Sequence, residues 1–187
     1  MAAAHGAAQL AGAAALGTGL LLLGGAQPQA QSGSEQAATA HVRGMNPAAQ
    51  TLIAHACAAS STVASLVSTL EASDVIVMVS VTFMNEGLAG DLRFLTATAR
   101  ARILCVRIDR LRPPPEQMSW LGHELQHAVE VASAPEVRSE ADLVTLMQRI
   151  GRSRGQGRLF ETDAAVACGR QVAREVAAGL RQPVRRP

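Results

Sequence analysis

Two residue types are missing altogether: the chain has no lysine and no tyrosine. All 17 basic residues are therefore arginine, and aromatics make up only 2%. A core with so few rings must be built from alanine and branched aliphatic side chains, and 187 residues at 48% hydrophobic suffice for one such domain. The formal net charge of +2 is too small to indicate a nucleic-acid partner. Arg181, Arg185 and Arg186 stand among prolines, and residues 181–187 read as a solvated basic tail. Cysteine is scarce and odd in number, with Cys57, Cys105 and Cys168 and no Cys-x-x-Cys pair, so no thiolate zinc site is indicated. One disulfide would leave a thiol over. Cys105 in a strand-like run and Cys168 on a helix stripe read instead as small buried hydrophobes. There is no internal repeat.

Charge is also lacking at the start, where no Asp, Glu, Lys or Arg precedes Glu35. Residues 7–23 are mostly Ala, Leu and Gly and end in Leu20-Leu21-Leu22-Leu23, before the small residues Gly24-Gly25-Ala26. This predicts a signal peptide over 1–26 and an exported, periplasmic or secreted protein. An uncleaved membrane anchor is the alternative, and the only route to a membrane. Residues 27–46, rich in Gln, Ala, Ser and Gly, read as a flexible linker, and 47–180 as a single domain.

Within that domain Asn46-Pro47 opens a helix expected to reach Thr69 or Ala72. Val75 to Phe83 is nearly continuous and β-branched, hence a buried strand. Leu92 to Ala97 forms a second strand. Arg102 to Arg110 alternates, and its arginines suggest an exposed or edge strand. Pro113-Pro114-Pro115 closes it. A helix follows and stops at Pro135. Ser139-Glu140-Ala141-Asp142 caps another, which ends at Gly151. Arg152 to Arg158 is a loop, and a last helix runs from near Leu159 to about Leu180. The layout is α+β: a small mixed or antiparallel sheet packed on one central helix, with further helices C-terminal.

That central helix carries Trp120-Leu121-Gly122-His123-Glu124-Leu125-Gln126-His127. His123 and His127, four residues apart, project from one face, so two imidazoles can share one Zn2+ ion. Glu124 points beside that face, where it can take a proton from a water without being a ligand. Leu121, Leu125, Ala128 and Ala132 make the helix apolar nearly all round, so its polar groups are buried and need partners. A third ligand is required. Glu130 falls on the same face but a turn too far along, and reads as lining the cleft or supporting a ligand. Glu136 and Glu140 sit in cap-like positions that capping explains. Glu161 heads a stripe that continues Ala165, Cys168, Val172, Val176 and Leu180, an otherwise apolar series, and is the best candidate. Asp163 faces elsewhere, as a weaker neighbour.

His123-Glu124-x-x-His127 followed by Glu161-Thr162-Asp163-Ala164-Ala165 resembles the gluzincin metallopeptidases, whose third zinc ligand is a Glu on a later helix. The resemblance covers roughly 102–180 and implies a zincin-like fold. It implies Zn2+ held by His123, His127 and Glu161, Glu124 as general base, and a peptide or protein substrate. It departs at Ala165, where those enzymes carry an Asp. The chain also lacks a clear oxyanion-stabilising residue: it has no Tyr, and His41 and His55 lie far upstream. A non-catalytic zincin-like domain that binds a metal or a partner is the competing reading. A di-iron bundle would need a second Glu-x-x-His, which the chain does not have.

Overall fold

The computed structural model describes residues 40–85, 87–153 and 160–181. The expected signal peptide, linker residues 27–39, Glu86, residues 154–159 (which include most of the expected loop from Arg152 to Arg158) and tail residues 182–187 lie outside the described residues. The described elements are, in order, β1 (Val42–Gly44), α1 (Pro47–Ala59), α2 (Ser61–Glu71), β2 (Val75–Thr82), β3 (Gly90–Ala97) and β4 (Arg102–Asp109). They continue with α3 (Pro114–Ala132), α4 (Glu140–Ile150), β5 (Arg152–Ser153), β6 (Phe160–Glu161) and α5 (Asp163–Arg181). The protein is mixed α and β, with five helices beside a four-stranded sheet in the order β1-β2-β4-β3. β1 runs parallel to β2 and β2 to β4, while β3 returns antiparallel on the outside.

The β-branched run of β2 forms a strand because its side chains fit a pleated surface buried on one side. Val75, Val77 and Val79 of β2 and Leu104, Val106 and Ile108 of β4 turn to that side and are fully buried. Alternate residues such as Ile76 and Met78 are half-buried, so the strand is not enclosed on both faces as its continuous apolar run suggests. Against the buried face pack Leu52, Val63, Leu70, Leu121, Leu125 and Val131, with α5 adding Val172 and Val176.

Four expectations are corrected. The linker ends earlier than residue 46, because Val42–Gly44 adds a parallel strand to β2. The first helix is two, bent by 115° at Ser60. Ser60 caps α2 by accepting from Val63 N and donates to Glu175 of α5, so a buried serine is satisfied only where the helix breaks. β4 is not an edge strand but lies between β2 and β3. Its arginines are neutralised from within the fold, so they say nothing about solvent: Arg102, 1% exposed, pairs with Asp74 at 2.5 Å, and Arg107 pairs with Asp91. The last helix begins at Asp163, placing Glu161 in β6, and Leu180 at the end of its stripe is exposed. No single helix among the described residues is long and apolar enough to cross a membrane. Cys57, Cys105 and Cys168 are free thiols.

The helix that carries the histidines is held at both ends. Pro114 and Pro115 open it where a missing N–H does no harm. At its far end the guanidinium of Arg102 donates to Val131 O and Ala134 O, both at 2.7 Å, and to Ala132 O at 3.3 Å. A cation fits there because the last carbonyls of a helix are unsatisfied and carry its negative dipole end. Gly122 and Gly169 let α3 and α5 approach closely: a Cβ on Gly122 would stand 2.6 Å from Val172 Cγ2, and one on Gly169 would stand 3.3 Å from Ser119 O.

Candidate active site

α3 is buried on all sides from Leu121 to Leu125, which encloses His123 and Glu124 along with the leucines. His123, Glu124 and His127 are exposed by 5%, 4% and 5%. The two imidazoles stand one turn apart, edge to face, with ring centroids 4.9 Å apart. Trp120, one turn before His123, lies against its ring at 5.1 Å.

The close packing of α5 on α3 brings the residues just before α5 to these rings. Glu161 Oε2 lies 3.2 Å from His123 Nε2, although 38 positions separate them in sequence. Thr162 is the cap of α5, accepting from Ala165 N at 3.0 Å. Its hydroxyl also donates to Glu130 Oε1 at 2.6 Å, and Glu130 Oε2 lies 2.8 Å from His127 Nδ1. Glu130 thus ties the head of α5 to His127 and fixes which nitrogen of that ring faces away from it. Burial works to lower the pKa of His127, but the hydrogen bond to Glu130 and the charges of Glu124, Glu130 and Glu161 outweigh it and leave the pKa raised. Asp163 is directed outward, where it pairs with Arg152 on the surface.

Glu124 has the opposite surroundings. Burial pushes its carboxyl up to about 8; the charge of His127 opposes this, and those of Asp91 and Glu161 add to it. Gly90 of β3 makes room for it, since a Cβ there would come within 2.9 Å of Glu124 Oε1.

Beside these residues lies a cleft of about 530 Å³. One wall is the segment leading into β3 and the first residues of that strand, from Gly87 to Leu92, and the other is α4, with Glu140, Leu143 and Met147. Arg112, Trp120 and Phe160 complete the lining around His123, Glu124, His127 and Glu161. The structure therefore gathers His123, Glu124, His127, Glu130 and Glu161, and leaves Asp163 outside.

The donor set suits zinc, which takes imidazole nitrogen and carboxylate oxygen. Bonds of about 2.0–2.1 Å at a tetrahedral angle put two ligand atoms roughly 3.3 Å apart. His123 Nε2 and Glu161 Oε2, at 3.2 Å, have that separation. Among the described residues no three His, Cys, Asp or Glu groups stand at metal-holding positions at once. His123 and Glu161 are the pair that meets.

Several participants escape a reading of the sequence. Thr162 resembles any helix cap, and Gly90 and Asp91 any turn. Asp91 lies in the cleft wall, held by Arg107 and Arg93 across and along the sheet. Compared with known proteins, the chain matches no family model, no curated protein and no solved structure.

Proposed function

We propose that the protein is a zinc-dependent peptidase of zincin-like architecture. The observation that carries this reading is the meeting of Glu161 with His123 beside a buried Glu124. A helical His-Glu-x-x-His alone places only two ligands; here a carboxylate from another element reaches the same spot. His123, His127 and Glu161 would hold the ion, which when bound would polarise a scissile carbonyl and make a water more acidic.

The chain's own residues would do the rest. Glu124 takes a proton from the attacking water at its carboxylate and delivers it to the leaving amine nitrogen. Its buried setting disfavours the charged form, and a nearby cation acts the other way, which brings the two forms within reach of each other near neutral pH. Glu130 keeps His127 in one orientation, supplying from within α3 an orienting carboxylate. Ala165, at the position where the resembling enzymes carry an Asp, is a fully buried residue of the first turn of α5.

The strand available to an extended substrate is β3, not β4. In β3 the alternation leaves Gly90 and Leu92 with backbone groups directed away from β4, since Ala89 O accepts from Asp109 N on the other side. A peptide can add to that edge as a further strand.

The reading is tested by purifying the chain, measuring bound metal, and comparing peptide cleavage by wild type and Glu124→Gln. Zinc near one per chain with cleavage confined to wild type is the expected result. Stoichiometric zinc with no cleavage of any peptide would favour a non-catalytic zincin-like domain, and a folded chain without affinity for zinc would reject both.

A further inference from the structure

The outer edge of β3 does not run open along its whole length. Phe94 N shares the outward direction of Gly90 and Leu92, and it donates to Glu140 Oε2 at 2.9 Å. One residue further on, the register with β4 shifts between Phe94 and Thr96, so Leu95 is a bulge that turns the edge away. An added strand therefore has Gly90 and Leu92 to pair with and meets a carboxylate at Phe94. Glu140 is the first residue of α4, and a helix N-terminus favours an acidic side chain there. That preference does not account for its reach to a strand 46 positions earlier, nor for its place in the cleft lining.

The end of the cleft near Phe94 carries the Glu140 carboxylate. Arg112 also lines the cleft, but its guanidinium lies 3.7 Å from the carboxylates of both Asp109 and Glu116. A bound peptide places its amino end toward Glu140, which is the antiparallel direction on β3. The reverse direction would put a terminal carboxylate against Glu140.

We propose that Glu140 closes the pairing edge and holds the free α-ammonium of the substrate, so that the cleft selects short peptides by their amino terminus. The inference rests on the peptidase reading above. Glu124 lies against Gly90, four positions before Phe94, a span of roughly 13 Å at about 3.3 Å per residue. Cleavage is thus expected roughly two to four residues from the amino end, and not deep within a folded protein.

The test uses the full chain and its single tryptophan, Trp120, which lines the cleft. Trp120 fluorescence reports binding of one short alanine-rich peptide with a free or an acetylated amino end. The background is Glu124→Gln, so nothing is consumed. Acetylation is expected to weaken binding at least tenfold, the usual scale of a lost charge-assisted hydrogen bond. Adding Glu140→Gln should bring the two peptides within about twofold of each other, since Gln still accepts from Phe94 N but carries no charge. Equal binding of both peptides before that change, or an undiminished preference after it, would overturn the role of Glu140 and leave the peptidase reading standing. If neither peptide binds, that reading falls and takes this one with it. In active protein, product masses read the distance of the cut from the amino end, and cuts spread evenly along a long peptide would also overturn the proposal.

Discussion

Glu124 and Glu175 are the same side chain in opposite circumstances. Glu124 sits in the middle of α3, sealed by the leucines beside it and by Gly90, and burial pushes its carboxyl up to about 8. Glu175 sits on α5 at the start of α2. Partial burial works to raise its pKa, but donors from Ser60, Gln171 and Thr62 overcome that and hold it down at about 2. Its oxygens accept from the hydroxyls of Ser60 at 2.5 Å and Thr62 at 2.8 Å, and from Thr62 N at 3.2 Å. A helix N-terminus adds its positive dipole end. One carboxylate is surrounded by donors and joins two helices. The other is kept nearly without them, a poor arrangement for stability and a useful one for moving protons.

The comparison can be broken from either side. The largest expected effect is on Glu124→Gln, where cleavage should fall by about 10²–10⁴-fold, the usual worth of a positioned general base, with zinc content and fold unchanged. A variant that retained full cleavage would show that Glu124 is merely a buried carboxylate. Next comes Glu130, which ties His127 to the head of α5. Glu130→Ala should weaken zinc binding by about 10–100-fold in a chelator competition, and an unchanged affinity would remove Glu130 from the support of the site.

Glu175→Ala strips the donors of α2 of their acceptor. The loss should be about 2 kcal/mol after allowing for the partial exposure of the pair, or roughly 6 °C in melting temperature. Cleavage per folded molecule should not change, and a loss of activity larger than the loss of folded protein would show that the clamp reaches the cleft. The smallest effect is on pH. The folded pKa of Glu175 lies below its ordinary value of 4.5, so its contribution is complete above 4.5 and is lost as pH falls toward about 2. The stability gap between wild type and Glu175→Gln should narrow over that range, and a gap constant from neutral pH down to about 2 would refute the assignment.

The sequence made the cleft more legible than the clamp. His123, Glu124 and His127 are set by one local period, whereas the helix stripe that singles out Glu161 is not its place in the fold: it stands in β6, ahead of α5, and lies 3.2 Å from His123 because α5 packs on α3. Ser139 caps α4 as its neighbours suggest, accepting from Asp142 N, and Asn46 caps α1 by accepting from Ala49 N. Ser60 gave no such signal. It sits in an unbroken helical pattern, and its reason for ending α1 is a carboxylate 115 residues away. Arg102 misled for the same reason: its partners are Asp74 and three carbonyls at the end of α3, and no local pattern shows them. Glu140 was explained by capping, which is correct for its backbone and silent about Phe94. What local periodicity dictates can be read from sequence. What a side chain meets across the fold cannot.

The tie between Thr162, Glu130 and His127 also has a consequence in time. The ribosome delivers α3 some thirty positions before it delivers Thr162. Through that interval His127 has its neighbour Glu130 but not the hydroxyl that steadies it, and His123 has not met Glu161. The donor set is completed by one of the later pieces of the chain to be made, when α5 docks on Gly122. A nascent chain therefore passes through synthesis with these side chains apart, and the cluster is assembled only when the end of the chain packs onto α3.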